Sequence, residues 1–79
     1  MRVLFFAQLK DVAGCAEMEL APASPLNGEQ LWKILTEKIP ALADHKKNTR
    51  LACNWEYADE QTVFSGSDEV ALIPPVSGG

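Results

Sequence analysis

Apolar residues recur along this chain with two different spacings, and the change from one to the other divides it into elements. From Val3 to Leu9 the odd positions (Val3, Phe5, Ala7, Leu9) are all apolar, whereas the even set (Leu4, Phe6, Gln8) begins apolar and ends polar. A strand apolar on both faces belongs in the middle of a sheet. Lys10 to Gly14 then reads as a turn with room for one helical loop. Ala16-Glu17-Met18-Glu19-Leu20 alternates cleanly, with Met18 and Leu20 facing in, as a second strand in hairpin relation to the first.

The spacing turns helical after the Pro22 to Pro25 connection. Asn27 is a good N-cap, with Gln30 three residues on as in a capping box, and Leu26 and Leu31 match a hydrophobic staple. Leu31, Ile34, Leu35 and Ile39 share one face, with Glu29, Lys33, Glu37 and Lys38 largely away from it. Pro40 ends the helix. A polar stretch, Asp44 to Asn48, precedes a third strand at about Arg50 to Asn54. Trp55 to Gln61 reads as a turn, Thr62 to Phe64 as a short edge strand, and Ser65 to Asp68 as a turn into the last strand, Glu69 to Ile73.

The order is therefore ββαβ(β)β, with the first and last strands the most apolar and hence central neighbours. A helical crossover between the hairpin and the later strands predicts an α+β fold. This is the ubiquitin-like β-grasp arrangement: a mixed sheet of four to five strands with one main helix on one face. Residues 1–75 are expected to form this domain and residues 76–79 a flexible tail.

Composition narrows the possibilities further. At 79 residues and 47% apolar, the chain suits one small folded domain. No apolar run approaches the ~20 residues needed to span a bilayer, and the first residues do not read as a secretory signal, so a cytoplasmic location is the expectation. A net charge of −4 argues against nucleic acid and suits a basic protein partner. Cys15 and Cys53 lack C-x-x-C spacing and His45 is remote from both, so no metal site is expected; Cys53 reads as a small buried hydrophobe.

The most informative segment is Pro74-Pro75-Val76-Ser77-Gly78-Gly79. Gly79 is read as the true C-terminus. Two prolines stop strand pairing and fix the direction in which the chain leaves the domain. Residues 76–79 then reach on the order of 13 Å when extended. A glycine carboxylate carries no side chain beside it and passes through a narrow channel into another protein's active site. On its own the carboxylate, with a pKa near ~3.5, is an anion and a poor electrophile that needs activation.

The pattern resembles the small, sulfur-carrying subunit family of molybdopterin synthase. Val3-Leu4-Phe5-Phe6-Ala7-Gln8 is similar to that family's first strand, Ala52-Cys53-Asn54 to its small-apolar-Asn strand end, and Asp68-Glu69-Val70-Ala71 with the Pro-Pro-Val-Ser-Gly-Gly ending to its C-terminal signature. Ser67 departs from it, standing where a glycine commonly precedes the Asp-Glu pair. The resemblance implies a sulfur carrier for molybdenum cofactor biosynthesis. A ubiquitin-activating-type enzyme, consuming ATP, joins the Gly79 carboxylate to AMP. A persulfide sulfur donor displaces AMP to leave a thiocarboxylate, and the tail delivers its sulfur to cyclic pyranopterin monophosphate inside the large synthase subunit, in a heterotetramer with two of each chain. It further implies no stably bound cofactor and no catalytic machinery in this chain. Gly79 is then the reacting residue, with Gly78, Ser77 and Val76 as the arm.

Parity points to the partner surface. Val70 and Leu72 suit the helix side, leaving Ala71 and Ile73, with Leu4 and Phe6, on the outer side. Phe6, Ile73 and a folded-back Tyr57 would form an apolar patch beside the tail root, Pro74 and Pro75. Alternatives in the same chemistry are delivery to thiazole or another thiocarboxylate pathway, or a ubiquitin-like modifier joined through Gly79 to lysines; a different class is an interaction module with an inert tail.

Overall fold

The parallel pairing of the first and last strands organises the computed structural model, which describes residues 1–59 and 61–74. β1 (Arg2–Phe5) lies beside β7 (Glu69–Ile73) in register Val3↔Val70 and Phe5↔Leu72. β2 (Glu17–Glu19) pairs antiparallel with β1, and β4 (Arg50–Cys53) pairs antiparallel with β7 and with β5 (Glu56–Tyr57). The resulting five-stranded mixed sheet has the order β2-β1-β7-β4-β5, with the two most apolar strands adjacent and β7 at its centre. Its single long helix, α2 (Gly28–Lys38), identifies the fold as the ubiquitin-like β-grasp expected from the sequence.

Helix α2 starts where its local chemistry says it should. Asn27 Oδ1 accepts the Gln30 N–H at 2.8 Å, and Gln30 Oε1 accepts the Asn27 N–H at 2.9 Å, closing the capping box. Leu26 and Leu31 are both buried, as a staple requires. Leu35 is buried beside them; Ile34 is only half-buried, and Trp32, outside the predicted stripe, is buried instead.

Four sequence expectations need correction. Trp55 to Gln61, read as a turn, holds Glu56–Tyr57, which pairs with β4 as the edge strand β5. The first strand does not run to Leu9: it ends at Phe5, Ala7 takes φ 51°, and Gln8–Ala13 forms a short helix, α1, closed by Gly14 at φ 78° whose N–H bonds Lys10 O at 2.8 Å. Leu9 satisfies a period of two from Val3 and also helical spacing with Val12 and Ala13. It is fully buried from the helix. The polar stretch before β4 belongs to a nine-residue 3-10 segment, Pro40–Asn48, pinned by the fully buried Leu42. Finally, β6 (Val63–Phe64) does not extend the main sheet. It pairs antiparallel with β3 (Leu26–Asn27) as a separate two-stranded ribbon, because that pairing puts Phe64 fully inside the core beside the start of α2.

The helix-covered face is sealed by large side chains. Val3, Phe5, Val70 and Leu72 from the central strands meet Leu31 and Leu35 of α2 and Leu42, all at 0–1% exposure. Full burial of each is worth about 1.5–3 kcal/mol. Among the described residues no helix is long and apolar enough to cross a membrane.

Candidate functional site: the outer face of the sheet and the root of the tail

Among the described residues the opposite face of the sheet carries no helix, and strand register decides what it presents. Leu4, Ala71, Ala52 and Tyr57 align in one row across β1, β7, β4 and β5. One step along, Ile73 stands opposite Arg50, and Phe6 follows Leu4 by parity at the same level. The middle of this face is built from alanines. Ala71 and Ala52 are each only 3% exposed, so Ala71, expected to face outward, does so but lies beneath its larger neighbours.

Those neighbours are aromatic. Tyr57 is 61% exposed, and the Arg50 guanidinium lies 4.1 Å from the centre of its ring, a cation–π stack. Trp55 is 69% exposed and its ring is tilted against Phe6 at 6.2 Å between centroids. Of the residues expected at a partner surface, Phe6, Tyr57 and Ile73 lie on this face, and Pro74, half-buried, directly follows β7. Pro75 and the tail Val76, Ser77, Gly78 and Gly79 lie outside the described residues. Trp55, to which sequence reasoning attached no role, is the most exposed large apolar side chain among the described residues. Its signal was an aromatic next to Asn54 in a tight turn, where small residues are the rule.

Charge gathers at the end of the face away from Pro74. Arg2 bridges the carboxylates of Glu17 and, at 3.2 Å, Glu69, with Glu19 across the strand pair; the bond to Glu17 and these charges hold the guanidinium firmly protonated. Beneath this end, the β6–β7 turn is tied to the β4–β5 turn. Asp68 accepts the Ser65 N–H at 2.8 Å and the Asn54 amide at 3.2 Å, while Asn54 Oδ1 accepts the Glu69 N–H at 3.0 Å. The Ser65 and Asn54 bonds hold the Asp68 carboxyl below the usual carboxylate range. The Asp-Glu pair thus builds a turn, as its position at strand entry implied.

None of this assembles a nucleophile. Burial, then the Asp68 charge, pushes the Cys53 thiol up, away from the reactive thiolate. Cys53 is half-buried, Cys15 is exposed, and both are free. The His45 carbonyl accepts the Thr49 hydroxyl at 2.7 Å, a structural bond closing the 3-10 segment. Among the described residues no three His, Cys, Asp or Glu side chains are grouped as metal ligands. What the arrangement offers is an apolar, aromatic-rimmed face, with Pro74 following the central strand β7.

Comparison with known proteins follows the same lines. The ThiS family matches residues 3–79. The molybdopterin synthase sulfur carrier subunit of Homo sapiens is 33% identical over 82 aligned positions, covering 100% of this chain and 93% of that protein. Among solved structures, the fold is similar to SAMP1, a small archaeal modifier protein, from Haloferax volcanii (TM-score 0.83, 27% identity, 100% of this chain and 98% of that one). It is also similar to a chain in the complex of subunits 1 and 2 of molybdopterin-converting factor from Helicobacter pylori (TM-score 0.66, 25% identity, 99% and 96%).

Proposed function

From its membership of the ThiS family, to which this chain belongs, we propose that the protein is the sulfur carrier of molybdopterin synthase in molybdenum cofactor biosynthesis. The observation that carries this reading is the full-length similarity to the human sulfur carrier subunit. The Gly78-Gly79 ending supports it.

The chemistry starts from an inert group. The Gly79 carboxylate attacks the α-phosphorus of ATP within a ubiquitin-activating-type enzyme and expels pyrophosphate, giving an acyl adenylate whose leaving group is AMP and dividing one hard substitution into easier steps. The outer sulfur of a persulfide donor displaces AMP to form an acyl disulfide, and a thiol then attacks the donor's sulfur, forming a new disulfide with the donor and releasing the thiocarboxylate. The domain's contribution is positional. Held at the end of a docked arm, the sulfur acts at a high effective concentration toward cyclic pyranopterin monophosphate in the large subunit. The complex of subunits 1 and 2 from Helicobacter pylori supports the large subunit as partner. Docking falls to the face bearing Phe6, Tyr57 and Ile73, beside Pro74. A heterotetramer with two copies of each chain, working in the cytoplasm without a bound cofactor, is the assembly this reading implies.

The test is intact-mass analysis of the protein recovered from its host or treated with the activating enzyme, ATP and a sulfur donor. The mass gain of one sulfur-for-oxygen exchange is expected. Adding one residue after Gly79 is expected to abolish that gain with the circular-dichroism spectrum unchanged, because the reactive carboxylate is displaced. Gly78→Val is expected to fold normally and fail in transfer, since a β-branched side chain obstructs threading and restricts φ. A Gly79-extended protein that still transfers sulfur sinks the carrier reading.

One observation favours a second reading. The similarity to SAMP1 is closer in fold than that to the Helicobacter pylori chain, and SAMP1 is a modifier. A protein modifier shares the adenylation step but ends in covalent adducts on other proteins, which the same mass analysis separates from a thiocarboxylate.

A further inference from the structure

We draw no further inference here: the strongest candidate, the open cavity of about 610 Å³ between the start of α2, the end of the 3-10 segment and β4, sets Lys46 and Arg50 against Glu29 and Asp59, so that its charges balance, and nothing in the structure shows what covers it.

Discussion

The two faces of β7 are built from alternate residues of one pentapeptide and do opposite work. Val70 and Leu72 point into the helix-covered core and are fully buried; Ala71 and Ile73 point to the outer face, where the large side chains are aromatic and mostly exposed. The difference is one of partners. On the core side, α2, the 3-10 segment and Phe64 of β6 cover the sheet with aliphatic and aromatic groups from the same chain. On the outer side, small alanines at the centre keep the floor low, and Phe6, Trp55 and Tyr57 around it leave apolar surface uncovered by the described residues. A strand with both faces apolar thus serves stability on one side and, on the other, leaves an apolar surface that the proposed function assigns to recognition.

Substitutions separate the two roles. The largest effect is expected at Leu72→Ala, where truncating a fully buried side chain leaves a cavity and costs about 2–5 kcal/mol in denaturant unfolding. The folded fraction should still bind the partner normally; a lost affinity in fully folded Leu72→Ala would mean the faces are not independent. Next come Phe6→Ala and Ile73→Lys on the outer side. Each is expected to weaken association with the large subunit about tenfold or more, which corresponds to ~1.4 kcal/mol, with limited loss of stability. Unchanged calorimetric affinity for both would place the interface elsewhere.

The smallest effect concerns the turn that joins the two faces at their acidic end. Because the Ser65 N–H and the Asn54 amide lower the folded-state pKa of Asp68, its charge stabilises the fold fully above the ordinary carboxylate value of about 3.9. That contribution is lost as pH falls from there through the lowered folded-state value. The stability difference between the parent and Asp68→Asn should therefore be constant from neutral pH down to about 4 and shrink in stronger acid. A difference that grows on acidification contradicts this role.

Much of this was written locally. The capping box of Asn27 and Gln30, the stop at Pro40, the alternation along Glu69–Ile73 and the Gly78-Gly79 ending are features of adjacent residues, and short-range hydrogen bonding, sterics and periodicity suffice to read them. The expected partner residues Phe6, Tyr57 and Ile73 fall on one face because a strand's parity is set by its own sequence once its neighbours are known. Where two periods fit equally, local pattern failed. Leu9 matches both a strand from Val3 and a helix with Val12, and only the fully buried place that α1 gives it decides between them. Leu42 and Phe64 are single apolar residues in polar or short segments, and a lone residue has no period; their role became visible only when distant elements closed over them. The same reason hid Trp55, whose meaning lies in its contact with Phe6, almost fifty positions earlier, and no local rule measures a contact that tertiary folding alone creates.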